Sequence, residues 1–249
     1  CEEASAPVVH KTKMEKKTEC IPTEKECNQE EQIAIIGMSG RFPQARTPKE
    51  LWEILEQGKT VVTTAPSDRF TGEREKIEKW KCGWVPGVSE FEPLFFEISP
   101  KEAQMMDPRH RLLMQETWNA LEDAGCSMSS LKEQTVGMFV GAESSDYTRH
   151  DLGCDTPITS DHEAVLSSRI AYFMDLKGPN MTINTACSSG LVAMHQACQS
   201  IKNGECDMAI ASGVNLILDA NSLERIDKAG MISETNTCYA FDKRADGMV

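Results

Sequence analysis

The stretch that most constrains this chain runs from Pro179 to Leu218, where an apolar run, a cluster of small residues, a helical pattern and a second apolar run follow one another directly. Pro179-Asn180-Met181-Thr182-Ile183-Asn184-Thr185 reads as a strand, and Ala186-Cys187-Ser188-Ser189-Gly190 as a tight junction. Leu191 to Lys202 then reads as an apolar helix that stops at Asn203-Gly204. A further strand spans Asp207 to Leu218, with Ala209, Ala211, Ser212 and Gly213 small enough to allow close packing.

The same alternation extends upstream. Gln32-Ile33-Ala34-Ile35-Ile36-Gly37-Met38 lacks a polar face, as expected of a strand buried on both sides, and ends in the turn Ser39-Gly40-Arg41-Phe42-Pro43. Thr47 to Gly58 carries an N-cap Thr, Pro at the first helical position, Glu at the third and Gly at the far end, which together predict a helix. Residues 59–100 are mixed and read as a long ordered excursion. Asp107-Pro108-Arg109-His110-Arg111 opens a second helix, with Leu112, Leu113, Trp118 and Leu121 at helical spacing before Gly125. The strand Val136 to Gly141 follows, and then a helix from about Asp161 to Leu176, with Ser160 and Glu163 placed as a cap. Strands alternating with helices predict an α/β layered sheet. Residues 1–31 are rich in Glu, Lys and Thr with almost no apolar periodicity, the pattern of a charged linker or tail outside the fold.

Composition narrows the function. A formal charge of −13 argues against a general nucleic-acid binder and against attachment to anionic lipid by net charge, since both need a cationic surface. No uncharged apolar run approaches the length of a membrane span, so neither nucleic acid nor membrane is an expected partner. The ten cysteines contain no C-x-x-C pair, which lowers the expectation of zinc or a redox dithiol. The first twenty residues carry charge where a secretory leader would be apolar. Reduced thiols and a cytoplasmic location are the expectation, and because the chain begins at Cys1 that expectation leaves an organelle open.

Cys187 is the candidate for chemistry. At a strand-to-helix turn the first N–H groups and the positive end of the helix dipole point toward its sulfur, small neighbours leave room for a substrate, and a thiolate there would be a nucleophile. The other reading, a small buried hydrophobe, stays open. Of the five histidines, His195 lies two helical turns away, roughly 12 Å along the axis, too far for a direct hydrogen bond. His110 and His162 are not placed by the sequence. Gly37-Met38-Ser39-Gly40 matches no phosphate-loop pattern and reads as a turn. Glu143, Asp146, His150, Asp151 and Asp155 match no metal spacing and read as a solvated loop.

Asn184-Thr185-Ala186-Cys187-Ser188-Ser189-Gly190 resembles the active-site segment of β-ketoacyl synthases, specifically the ketosynthases of modular polyketide synthases. The resemblance extends in order to Ile33–Pro43, to Asp107–Gly125, to Gly204-Glu205-Cys206-Asp207 and to Ala240-Phe241-Asp242. Asn184 before Thr-Ala-Cys and Gly190 after Ser-Ser resemble the branch whose acyltransferase acts in trans. Ser233 to Cys238 departs from the family by lacking a glycine before Ala-Phe-Asp.

The resemblance implies a thiolase-like layered αβαβα fold, of which residues 32–249 would be the N-terminal half, and a homodimer. It implies that Cys187 accepts an acyl chain from the phosphopantetheine of an acyl carrier protein, after which malonyl-carrier decarboxylates and condenses with it. No cofactor of its own is implied. Family members also use two histidines from their C-terminal half, and neither segment occurs before Val249, so the fragment alone is expected not to condense. The competing expectation is a protein that only transfers acyl chains, or an inactive binding partner.

Overall fold

The computed structural model describes residues 32–67, 69–70, 74–147 and 157–249. The expected tail at 1–31, with His10, and the loop residues His150, Asp151 and Asp155 lie outside the described residues. Within the unit Ile33–Val249, three parallel strands form the central sheet: β3 (Val136–Ala142) in the middle, β4 (Asn180–Ile183) on one side and β5 (Met208–Val214) on the other. Two very short antiparallel strands, β1 (Val62–Thr63) and β2 (Cys82–Gly83), form a separate ribbon in the 59–100 excursion.

Every residue of β3 is buried, and its alternation sorts the layers. Val136, Met138, Val140 and Ala142 point into a core shared with α4 (Pro108–Asp123) and α6 (Ala164–Phe173), where Leu113, Met114, Leu166 and Ile170 meet them. Phe139 points the other way, onto Ala193 and Ala197 of α7 (Ser189–Lys202). Each such large side chain taken from water stabilises the fold by about 1.5–3 kcal/mol. Helices on both faces of a parallel sheet realise the α/β layering read from the sequence.

The expected helices at 47–58 and 107–125 form as α1 (Pro48–Glu56) and α4, each with its cap in place. The Thr47 hydroxyl accepts from the Glu50 N–H, the Asp107 carboxylate from the Arg109 N–H, and Gly58 and Gly125 take the left-handed conformation that ends each helix. The helix expected from Asp161 is shorter at its start. Ser160 is buried in a 3-10 turn, Ile158–Ser160, where its carbonyl accepts from the Asp107 N–H at 2.8 Å, and His162 Nδ1 accepts from the Ala164 N–H instead. Three helices were not read from the sequence: α3 (Pro100–Met105), α5 (Met128–Lys132) and α8 (Ala220–Lys228). Each has a capping side chain, from Ser99, Ser127 and Asp219 respectively. A four-residue turn of helix, α2 (Arg74–Ile77), lies between β1 and β2.

The expected opening strand at 32–38 does not form. Ile35 and Ile36 are 80% and 57% exposed, and among the described residues no strand pairs with this segment. A ladder partner is what makes an apolar run a strand; here the chain instead crosses α4, with the Met38 N–H on Asp123, Arg41 Nε on Glu116 at 2.7 Å, and Gly37 against Ala120 and Ala124. The excursion at 59–100 is ordered as expected where described: Phe91 stacks on Phe96, Phe95 meets Phe96 and Trp118 edge to face, and Phe96 tilts against Phe173. No described helix is long and apolar enough to cross a membrane.

His110, in the first turn of α4, is 1% exposed and neither ring nitrogen has a hydrogen-bond partner among the described residues. Burial pushes its pKa down to about 4, with Arg169 and Arg109 adding to the shift and Asp107 opposing it. The unfolded chain therefore takes up a proton between pH 6.5 and 4 that the folded chain refuses, so stability falls as pH drops through that window. The loss approaches about 3 kcal/mol. Thermal unfolding midpoints of wild type and His110→Leu, measured from pH 7 to pH 4, should show the variant losing part of that acid-side slope; parallel curves would contradict it.

Candidate active site

Cys187 occupies the five-residue turn between β4 and α7, at the carboxyl end of the parallel strands, where open α/β sheets place ligands. Its side chain is exposed, as are Asn184 to Ser188 around it. The reading of Cys187 as a buried hydrophobe therefore fails, and its placement at the start of an apolar helix holds. Ala186, immediately before it, has φ of +55°. That left-handed conformation costs a non-glycine residue roughly 1 kcal/mol or more and persists only where the surroundings hold it.

Those surroundings are a set of short polar side chains. The Thr185 N–H donates to Ser189 Oγ at 2.9 Å, and that hydroxyl donates to the Ala186 carbonyl at 2.6 Å. The Ala186 N–H donates to Asn184 Oδ1 at 3.2 Å, and Ser188 Oγ donates to the Thr185 carbonyl at 2.9 Å. Ser189 is the buried member of the set. These hydroxyls bond back into the turn and no side chain caps α7; the Ser189 N–H donates to the Ala186 carbonyl at 2.9 Å, and the N–H groups of a helix start are the kind that can bind an anion.

A second layer braces the turn. The buried Arg109 donates to the Glu143 carbonyl at 2.5 Å and pairs with the buried Asp107 at 2.8 Å. The Asp107 carboxylate also accepts from Ser145 Oγ at 2.6 Å. Between those two anchored residues, Ser144 Oγ accepts from Asn184 Nδ2 at 3.5 Å. Asp146 accepts from the Leu218 and Asp219 N–H groups, so the loop after β3 ties the ends of β4 and β5 together. Asp146, expected in a solvated loop, instead has a structural carboxylate, while Glu143 is held through its backbone carbonyl. The signal for Arg109 lay in the Asp-Pro-Arg cap, whose side chain is committed to the loop 34 residues away.

The described histidines sit in separate places. His195 is an exposed residue on α7, His162 caps α6, and His110 is in the α4 core. The described cysteines are all free: Cys82, Cys126, Cys187, Cys198, Cys206 and Cys238. Among the described residues no His, Cys, Asp and Glu side chains converge as a metal site would require. Glu205-Cys206-Asp207 forms the expected helix-to-strand loop, with the Asp207 carboxylate accepting from the Thr135 N–H at 2.8 Å. Where the family glycine is absent before Ala240-Phe241-Asp242, Asn236 takes the left-handed conformation and Asp246 accepts from Ser233 Oγ and the Thr235 N–H.

An exposed cysteine thus follows the left-handed Ala186 on a turn carried by a layered α/β framework. The chain belongs to the β-ketoacyl synthase family: its residues 30–249 match the model of the β-ketoacyl synthase N-terminal domain. It is 49% identical over 223 residues to polyketide synthase ThaG of Burkholderia thailandensis, and 44% identical over 226 residues to polyketide synthase PksM of Bacillus subtilis, each match covering 88% of this chain. The chain spans only 4% and 5% of those two relatives. Among solved structures, the oxazolomycin ketosynthase domain OzmH KS7 of Streptomyces albus superposes with a TM-score of 0.78 at 32% identity, over 86% of this chain and 39% of that one. The ketosynthase from module 6 of the bacillaene synthase of Bacillus subtilis gives 0.74 at 38% identity, over 87% and 37%. The thiolase-like ketosynthase fold implied by the sequence is the fold of this chain.

The turn makes a stability prediction of its own. Ser189→Ala leaves the Thr185 N–H without its acceptor and should cost about 1–3 kcal/mol, read as a lower unfolding midpoint in denaturant; an unchanged midpoint would show that the hydroxyl does not hold the turn.

Proposed function

We propose that this chain is the part of a polyketide ketosynthase that carries the acyl-accepting nucleophile, and that Cys187 is that nucleophile. The observation that supports this most is the exposed thiol directly after left-handed Ala186, at the uncapped start of α7. The Cys187 sulfur, as thiolate, attacks the carbonyl of an acyl chain held as a thioester on a carrier protein's phosphopantetheine. A carbon–sulfur bond forms to Cys187 and negative charge moves to the carbonyl oxygen, where backbone N–H groups of the turn can stabilise it; as the carbonyl re-forms, the carbon–sulfur bond to phosphopantetheine breaks and the carrier leaves as thiolate, which takes a proton from water. In the complete ketosynthase, malonyl-carrier then loses its carboxylate as carbon dioxide, and the freed electron pair attacks the Cys187 thioester. A carbon–carbon bond forms and the Cys187 thiolate is released.

The partners in this proposal are an acyl carrier protein, the C-terminal half of the ketosynthase, and a second copy in a homodimer. The outer face of α7 supports the second of these: Leu191 is 76% and Met194 49% exposed on a helix whose inward face carries only small residues. The histidines of condensation would come from that C-terminal half, which fits His110 and His162 having structural roles in this one.

Two measurements test the reading. Cys187→Ala should abolish loading from an acyl-carrier protein in the full-length polypeptide while leaving its unfolding midpoint nearly unchanged, and retained loading would sink the assignment. Brief iodoacetamide treatment followed by peptide mass mapping should label Cys187 ahead of Cys238, another exposed thiol, which does not start a helix. Equal labelling of the two would show that the helix start confers no reactivity.

A further inference from the structure

Gly141 lies on the face of β3 that meets α7, opposite Ile183 of β4 and Gly213 of β5. A Cβ built on it would lie 2.5 Å from the Gly190 amide nitrogen and closer still to the Ser189 carbonyl carbon and oxygen, inside the 3.0 Å that real Cβ atoms essentially never breach. All three atoms are backbone, so no change of rotamer relieves the contact. The first turn of α7 itself would have to move.

The two neighbouring glycines differ in kind. A Cβ on Gly213 would sit 3.5 Å from the Gly190 Cα, an ordinary contact. One on Gly137, four residues earlier on the same face of β3, would meet the Phe139 ring, which packs under the middle of α7, at 2.7 Å and the Cys206 sulfur at 3.3 Å, side chains rather than the backbone of the first turn of α7.

We propose that Gly141 is a positioning residue for Cys187: its bare backbone sets the height at which α7 begins above the sheet, and with it the place of the thiol two residues before Ser189. This rests on the reading of Cys187 as the acyl acceptor. The contact is at the helix start, where Ala186, Ser188 and Ser189 are locked together, so a displacement of the first turn is carried to the sulfur. A shift of about 1 Å in a reacting group can lower a rate about 100-fold by spoiling near-attack geometry.

The experiment measures single-turnover acyl loading of the full-length polypeptide from an acyl-carrier protein, per folded molecule, beside the unfolding midpoint of each variant. Gly141→Ala should lower the loading rate at saturating acyl-carrier by roughly 10- to 100-fold, with the half-saturating carrier concentration unchanged. Gly213→Ala should load like wild type. Gly137→Ala should lower the unfolding midpoint yet load at the wild-type rate per folded molecule. Where Gly141→Ala fails to accumulate as folded protein, Gly213→Val presses on the same Gly190 Cα from the neighbouring strand and should slow loading. Loading by Gly141→Ala within twofold of wild type would overturn the positioning role, as would an equal loss in Gly137→Ala or, in the fallback case, unimpaired loading by Gly213→Val. Loading that survives in Cys187→Ala would overturn the acyl-acceptor reading instead.

Discussion

The first turn of α7 lies against β3 with backbone meeting backbone, Gly141 beneath Ser189 and Gly190. β3 serves two layers at once. Its side chains at Val136, Met138, Val140 and Ala142 fill the core under α4 and α6, while its α7 face carries Gly137, Phe139 and Gly141. Phe139 holds the middle of α7 through Ala193 and Ala197, and Gly141 leaves its start no spacer. Glycine inside a strand weakens it, and here the strand is sustained by burial on both faces and by ladders to β4 and β5. The turn is thus held by the most buried strand of the sheet, although Cys187 on it is exposed.

Polar groups do the remaining positioning. Ala186 stays left-handed because Asn184, Thr185, Ser188 and Ser189 exchange hydrogen bonds across the turn. Asp107 and Arg109, paired and fully desolvated, gain partners in the loop after β3 that a solvated pair would not need. Truncating either would strand a charge in the core. The chain therefore couples the start of α4 to the start of α7 through residues 143–145.

Much of this was legible in the residues. The βα junction at Cys187, the caps of α1 and α4 and the buried run of β3 are local patterns, and local patterns survive into the structure because capping and periodicity act over a few residues. The 32–38 run was misread for a complementary reason. Ile33 to Met38 has the composition of a strand, but a strand is a property of a pair, and its neighbour here is α4. The short helices α3, α5 and α8 were overlooked although Ser99-Pro100 and Asp219 are capping signals, since few apolar residues follow to show a period. Nor does sequence reveal that Gly141 faces Gly190 or that Arg109 reaches Glu143. Both depend on register and on long-range packing, and a glycine in a strand looks the same whether it is a weakness or a clearance.

The most direct test is a crystal structure of the full-length polypeptide trapped after acyl loading, with no malonyl-carrier present. The account predicts a thioester on the Cys187 sulfur, Ala186 still near φ +55°, and α7 beginning at Ser189 directly over Gly141. An acyl group on any other residue, or a loaded Cys187 on a turn in which Ala186 has relaxed to negative φ, would contradict it.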